Sequence, residues 1–247
     1  MRKKPVSVAT PPAANQTTAR KVSRNSWRRI DPTLIEGLLR KPKLRGWFHT
    51  VAAPVSLTAV VVLIVLTPDM WGRFAAAIFL VASLMLFGIS GYYHRNYWGP
   101  LAEKFLRNWD HSNIFLLIAG TYTPMAVGTI SGIDCYILLG VVWAGAIVGI
   151  ILQWVWPSVP RWLYTPIYVA LGWVAIWYMP ELVEGGGLAF TWLLISGGIC
   201  YTLGALVYGF KWPNLAPRYF GFHELFHAFT LAGWICHCVA AYFALLQ

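Results

Sequence analysis

The sequence His223-Glu224-Leu225-Phe226-His227 opens a segment, Ala228 to Leu246, that contains no charged residue. An uncharged apolar segment of this length predicts a helix that crosses a membrane. Two histidines four residues apart lie one turn above the other on a helix face, a spacing that suits a shared metal ion. Metal-binding side chains at membrane depth are costly, so they indicate a functional site.

The whole chain has the composition of an integral membrane protein. Of its 247 residues, 58% are hydrophobic and 11% are charged, whereas a soluble domain is about 25% charged. The sequence predicts an all-α fold with seven transmembrane helices, in a domain that covers residues 46–247. The seven apolar segments are 47–67, 74–94, 111–130, 135–156, 162–180, 188–210 and 222–246.

The basic residues predict how this domain is oriented in the membrane. With seven crossings, 18 of the 19 Lys and Arg residues fall on the side of the N-terminus, and 12 of them lie in residues 1–45. The other side has Arg73 alone. Because basic residues are retained on the cytoplasmic side, we expect the N-terminus to be cytoplasmic and the C-terminus to be outside the cell.

Residues 1–45 form a separate basic region, rich in Pro, Ser and Thr, in which Asp31 and Glu36 are the acidic residues. This composition predicts a mostly disordered cytoplasmic tail that is attracted to anionic lipid headgroups. The clustering of charge in the tail argues against nucleic-acid binding, so membrane lipids are the expected partners. The tail is too long and too charged for a secretory signal peptide.

Polar residues from three predicted spans meet at one depth near the cytoplasmic face. The second span ends with His94, the third begins at Asp110, and the seventh begins with His223 and His227. Ser90 lies one turn deeper than His94 on the same helix face. Interfacial histidines can also simply cap helix ends or contact headgroups, but four such groups at one depth favour a metal site.

Three imidazoles leave one position of tetrahedral Zn²⁺ open for water, which is the catalytic type of zinc site. Such a zinc lowers the pKa of its water to about 7. Asp110 could orient that water or take its proton, and Ser90 could hydrogen-bond the water or a developing oxyanion. The predicted site is therefore metal ligands His94, His223 and His227 with catalytic residues Asp110 and Ser90. Iron or another divalent ion is an alternative to zinc.

The motifs that carry these residues resemble the hemolysin III family, the bacterial branch of the progestin and adipoQ receptor (PAQR) group. They are Ser90-x-x-x-His94, the run from Leu106 to His111 that leads to Ala119–Pro124, and His223-x-x-x-His227. The resemblance covers about residues 45–247. It implies seven helices around a zinc site near the cytoplasmic face, and kinship with alkaline ceramidases, which hydrolyse a lipid amide. One departure is that the Glu and Asn often found before a His in span one are absent before His49.

Other chemically notable residues have simpler interpretations. His223-Glu224-x-x-His227 fits a metalloprotease pattern with Glu224 as base, but no acidic residue follows Glu224, so we interpret it as a supporting or inner-surface group. His237 lies about 15 Å further along the helix than His227 and is predicted to pack between helices. His111 is a candidate supporting residue, and His49 is either a supporting or an interfacial residue. The four cysteines are predicted to be packing thiols.

Three functions follow from the sequence. The first is a zinc-dependent hydrolase of a lipid amide or ester with a role in membrane lipid homeostasis. The second is a non-catalytic protein in which zinc links spans two, three and seven, acting in homeostasis or as a receptor. The third is a cytolytic protein that permeabilises membranes, for which no span offers a polar stripe suited to a water-filled channel.

Overall fold

The computed structural model describes residues 41–156 and 160–247. In these ranges every regular element is helical, apart from an isolated bridge between Ala216 and Phe220. The predicted all-α class is confirmed, while residues 1–40 of the predicted tail lie outside the described residues. The helices are α1 (Trp47–Leu66), α2 (Met70–Arg95), α3 (Pro100–Thr129), α4 (Ile133–Val155), α5 (Arg161–Gly172), a 3-10 helix (Val174–Tyr178), α6 (Met179–Phe210) and α7 (Phe222–Leu245).

Five helical stretches of the described chain are long and apolar enough to cross a membrane. They are Trp47–Leu66, Met70–Arg95, Ile133–Val155, Trp162–Phe210 and Phe222–Leu245. Helix α3 is not among them because it is the more polar helix at the centre of the bundle, where it contacts α2, α4, α5, α6 and α7. It buries Asn108, Asp110 and Asn113. A central helix can carry such residues because its neighbours, rather than lipid, surround it.

The predicted fifth span, 162–180, is not one α-helix. Helix α5 ends at Gly172 and the 3-10 helix follows it. The break leaves backbone groups without helical hydrogen bonds in an apolar surrounding, and the Tyr122 hydroxyl of α3 provides hydrogen-bond partners for two of them. This hydroxyl donates to the Gly172 carbonyl (2.7 Å) and accepts from the Ala175 N–H (2.8 Å). The predicted boundary between spans five and six is a kink inside α6, where Gly187 has φ 72°.

The outer surface of the bundle is apolar, and its interior is joined by specific side-chain contacts. Large aliphatic side chains such as Val65 and Val148 are more than half exposed, and a surface of this kind suits contact with lipid. Inside, the Trp234 indole of α7 donates to the Ser83 hydroxyl of α2 (2.9 Å). In the same way the Asn113 amide of α3 donates to the Met85 carbonyl of α2 (2.8 Å). Helices α2, α3 and α7 are thereby held together midway along their lengths.

Two glycines of α4, Gly145 and Gly149, contribute to packing within the chain. A Cβ at Gly145 would lie 2.7 Å from Leu171 of α5, and a Cβ at Gly149 would lie 2.3 Å from Phe115 of α3. The absence of side chains at these two positions lets α5 and α3 approach α4 closely.

Candidate metal centre

The three predicted ligand histidines meet where the end of α2 reaches the beginning of α7. His94 lies in the last turn of α2, while His223 and His227 occupy the first two turns of α7. One ring nitrogen from each histidine lies within 4.8 Å of the other two. All three side chains are at most 9% exposed. The triad could therefore hold a metal ion away from bulk water.

The geometry of the rings fits a metal bound by imidazole nitrogens. The Nε2 atoms of His94 and His223 are 3.1 Å apart and face one another. Two nitrogen ligands of a tetrahedral zinc, each about 2.0–2.1 Å from the ion, are separated by roughly 3.3 Å. The ring of His227 lies 5.1 Å from that of His94 and 4.5 Å from that of His223. In addition, Nδ1 of His227 has no hydrogen-bond partner among the described residues.

The structure brings Asp110 and Ser90 to the same place. Asp110, on α3, has its Oδ2 atom 3.5 Å from Nε2 of His94. Ser90, one turn before His94 on α2, lines the same cavity as Asp110. Both side chains are buried. All five residues predicted from sequence thus converge, and a carboxylate and a hydroxyl stand beside the three imidazoles.

His49 of α1 also belongs to this cluster. Its ring is stacked on that of His227, with centroids 3.8 Å apart and planes 4° apart, and it meets Phe87 edge-on at 5.2 Å. The side chain is 2% exposed. The sequence left open whether His49 supports the site or lies at the membrane interface. In the structure its ring lies inside the bundle beside a candidate ligand, which fits the supporting position.

Glu224 does not face a substrate as a metalloprotease base would. Its Oε1 atom is paired with Nε of Arg45, and its Oε2 atom accepts the Gly221 N–H at 2.8 Å. The third histidine of the cluster comes from α2 rather than from a residue after His227. Glu224 is therefore a supporting residue at the start of α7, where an acidic side chain at the third helical position completes the N-terminal hydrogen bonds.

His111 lies next to the cluster in a hydrogen-bonded network with tyrosines that no motif in the sequence marks. Its Nε2 atom is 3.2 Å from the Tyr208 hydroxyl, which is 3.1 Å from the hydroxyl of Tyr164. The Tyr168 hydroxyl donates to the His111 carbonyl at 3.1 Å. This network joins α3 to α5 and α6. The tyrosines could not be found from sequence because each is one of many aromatic residues in apolar segments.

His237 is distant from the triad along α7, as the sequence predicts. Its Nε2 atom is 3.0 Å from the Leu194 carbonyl of α6, and a Cβ at Gly197 would lie 2.2 Å from its ring. His237 therefore packs α7 against α6. The four cysteines are all free thiols in the described chain, and Cys135 and Cys238 are buried.

A cavity of about 140 Å³ leads from this cluster into the bundle, and the sequence did not predict it. At one end it is lined by His49, Ser90, Asp110, His223 and His227. Most of its remaining wall is apolar and comes from α3, the region around the helix break after Gly172, α6 and α7. An apolar cavity that ends at a few convergent polar groups is typical of a small-molecule site.

Comparison with known proteins identifies the family. Residues 38–238 match the sequence model of the family described as Haemolysin-III related. The chain belongs to the hemolysin III family. It is 34% identical to "Hemolysin-3" of Bacillus cereus over 193 residues, which are 75% of this chain and 83% of that protein. It is 31% identical to "Hemolysin-3 homolog" of Bacillus subtilis (strain 168) over 191 residues, which are 75% of this chain and 85% of that protein.

Family membership confirms the resemblance drawn from the motifs. Together with several apolar helices of membrane-spanning length, it makes this hemolysin III protein a multi-pass integral membrane protein. Its histidine cluster therefore lies in a bundle that is surrounded by lipid.

Proposed function

We propose that this hemolysin III protein is a seven-pass zinc enzyme of the cell membrane that hydrolyses an amide or ester bond in a lipid. The observation that carries the proposal is the cavity, because its apolar length ends at two histidines of the triad, His223 and His227, together with a carboxylate and a hydroxyl. A lipid has the matching chemistry, since a hydrocarbon chain is joined to a carbonyl group at one end.

The proposed topology has the N-terminus in the cytoplasm and the C-terminus outside. Helices α1 to α4 each cross once, α5 with the 3-10 helix forms the fifth crossing, the part of α6 after Gly187 forms the sixth, and α7 forms the seventh. The distribution of Lys and Arg supports this orientation. It puts the histidine cluster near the inner leaflet, where the basic tail is proposed to bind anionic headgroups.

The proposed ligands of the zinc are His94, His223 and His227. Three neutral imidazoles in a buried site suit Zn²⁺ and leave a position for water or substrate. When bound, zinc supplies a Lewis acid that polarises a carbonyl oxygen and lowers the pKa of a coordinated water to about 7. No carboxylate belongs to the ligand set, which leaves Asp110 available for proton transfer.

The remaining polar groups have distinct roles in this proposal. The Asp110 carboxylate accepts a proton from the attacking water and returns it to the leaving amine or alcohol. The Ser90 hydroxyl donates a hydrogen bond to the oxygen on which negative charge develops. The lipid enters laterally from the inner leaflet, and its acyl chain occupies the apolar part of the cavity. Burial of the cluster limits the access of bulk water to this chemistry.

An Asp110→Asn variant tests the proposal directly. We expect the purified variant to keep close to one zinc per chain and to lose more than about a hundredfold in turnover of an acyl lipid in mixed vesicles, the scale of general acid–base catalysis. Asp134→Asn is the matched control, because Asp134 is an exposed acid in the first turn of α4. Equal turnover by the wild-type protein and the Asp110→Asn variant would contradict the proposed enzymatic activity.

A non-catalytic zinc protein is the second candidate, favoured by the fact that the triad joins the end of α2 to the beginning of α7. Metal bound there would link two helices that are far apart in the chain. This candidate predicts that removing zinc lowers the melting temperature while no lipid is turned over by wild-type protein.

A cytolytic function is the third candidate and rests on the names of the two Bacillus relatives. It predicts that purified protein releases a dye from liposomes in proportion to protein loading. Absence of leakage at high loading would remove it.

A further inference from the structure

His49 stands out because its hydrogen-bonding groups are buried and unpaired. Neither Nδ1 nor Nε2 has a hydrogen-bond partner among the described residues, and the side chain is 2% exposed. Its contacts use other parts of the ring, because the face is stacked on His227 and Phe87 lies edge-on to it. A buried polar atom without a partner destabilises the folded protein. Such a residue is expected to have a partner when the protein works.

The surroundings of His49 show where that partner lies. The imidazole lines the same cavity as Ser90 and Asp110. His49 does not belong to the cluster of ring nitrogens within 4.8 Å that could share a metal, which His94, His223 and His227 make up. Its ring contacts are with Phe87 and with the face of His227, and neither of them supplies a hydrogen bond to its nitrogens. The cavity is therefore the direction from which a hydrogen-bonding group can reach it.

Comparison with His237 strengthens this point. Both histidines line the cavity and both are buried. However, Nε2 of His237 meets the Leu194 carbonyl of the neighbouring helix, so that one of its two ring nitrogens, Nδ1, is without a partner among the described residues. His49 has no equivalent contact in the described chain.

We propose that His49 is a specificity-determining residue that hydrogen-bonds the carbonyl-bearing polar end of the lipid in the cavity. The neutral ring offers one N–H donor and one acceptor nitrogen, and the stack on His227 fixes the plane in which they point. His49 thereby selects lipids with a polar end over plain hydrocarbon and sets how deeply the acyl chain enters. This inference rests on the proposed assignment of the cavity to a lipid.

The test compares ligands that share a chain but differ in the polar end. Hexadecane, methyl palmitate and palmitamide are made to compete with a fluorescent C16 acyl probe on zinc-loaded protein in detergent micelles. The His49→Phe variant keeps an aromatic ring on His227 and removes both nitrogens. We expect its affinity for methyl palmitate and palmitamide to fall about three- to tenfold, the scale of one hydrogen bond, with affinity for hexadecane unchanged. Zinc content is expected to equal that of wild type.

Two further variants test whether the change in affinity comes from the hydrogen bond of His49. His49→Gln, which restores a donor and an acceptor, is expected to recover part of the discrimination, and it serves as the principal variant if His49→Phe does not fold. His237→Phe is the matched control and is expected to leave the affinity ratio between the three ligands unchanged. Equal loss for all three ligands in His49→Phe, or no loss for any, would overturn the inference, because either result indicates a packing role.

The outcome separates this inference from the proposed enzyme. If wild-type protein turns over no lipid but His49→Phe no longer distinguishes polar ligands from hexadecane, the role of His49 is supported and the proposed hydrolase activity is contradicted. If wild-type protein hydrolyses lipid while His49→Phe discriminates normally, the inference fails alone.

Discussion

The position of His94 depends on a glycine from the segment before α1. Gly46 has φ 79°, and a Cβ there would lie 2.9 Å from Cβ of His94. The glycine is needed for two reasons, because its backbone is left-handed and because His94 occupies the space of a side chain. Gly46 is thus part of the wall of the candidate metal centre, although it offers no chemistry of its own.

A Gly46→Ala substitution is expected to weaken metal binding. The added methyl group would push His94 away from the other two histidines, and we expect the zinc affinity to fall at least about tenfold, as for loss of a group that orients a ligand. Gly132→Ala is the matched control, because Gly132 has φ 71° with nothing within 4 Å of its Cβ position. Because the φ and ψ of Gly132 lie in a region essentially restricted to glycine, this variant should cost about 1–3 kcal/mol of stability and keep full zinc affinity. Similar zinc titrations for the two variants would contradict this role of Gly46.

Loss of a single ligand is expected to remove the metal. His94→Ala and His227→Ala each leave two imidazoles, and we expect the zinc affinity to fall by more than about a hundredfold, beyond the loss caused by an outer partner. Metal analysis of purified protein measures this. His237→Ala, in the same bundle but bonded to Leu194, should retain the metal. Zinc retained by both ligand variants would exclude the site.

At the scale of elements, the beginning of α7 is tied to the segment before α1. The Lys43 and Leu44 amides donate to the Arg218 and Tyr219 carbonyls, both at 3.2 Å. Next to them, Arg45 pairs with the buried carboxylate of Glu224. Because Glu224 lies between His223 and His227, these contacts fix the rotation of α7 and hence the direction in which the histidine pair points. The connection acts on the site through the helix rather than through the metal.

An Arg45→Leu substitution is expected to destabilise this junction. It leaves the Glu224 carboxylate buried without its partner, which costs up to about 3 kcal/mol for a pair whose arginine is partly exposed. The Arg45→Leu/Glu224→Leu double variant should recover much of that loss, and a double-mutant cycle on unfolding in detergent measures the coupling. Lys43→Leu, an exposed neighbour, is the control. Additive effects of the two single substitutions would contradict the coupling.

At the scale of the whole molecule, the helices place the histidine cluster at one end of the bundle and the break after Gly172 inside it. Helix α1 begins, α2 ends and α7 begins at the histidine cluster, and α3 passes through the centre with its polar residues turned to other helices. The break after Gly172 borders the cavity and is satisfied by the Tyr122 hydroxyl, whereas Gly187 at the kink in α6 is exposed. Polarity is thus buried within the bundle, where lipid does not reach it.

The proposed orientation predicts which surface positions are accessible from outside the cell. Gln247 is exposed at the C-terminus, and Tyr97 is 73% exposed between α2 and α3. We expect an impermeant maleimide to label Gln247→Cys in intact cells and Tyr97→Cys only after permeabilisation. The parent chain, whose own cysteines are buried or partly buried, gives the background. Labelling of Tyr97→Cys in intact cells would contradict the proposed orientation and indicate the opposite topology.

The sequence by itself determined the helical class, the apolar segments, the basic tail and the five residues of the predicted site. These features are local, since they depend on hydropathy over about 20 residues, on charge near helix ends and on a spacing of four residues along one helix. For this reason the boundaries of α1, α2, α4 and α7 agree with the predicted spans within a few residues.

Only the tertiary structure decided how the faces of these helices meet. The stack of His49 on His227, the Arg45–Glu224 pair, the Tyr208–His111 contact and the cavity each join residues that are distant in the chain. Hydropathy does not encode the rotation of one helix against another, because an all-apolar segment offers many equivalent faces to its neighbours. The same reason explains why hydropathy did not reveal that α3 lies at the centre of the bundle or that the chain breaks after Gly172. Polar backbone and side chains in a membrane are stable only where particular partners from other helices satisfy them.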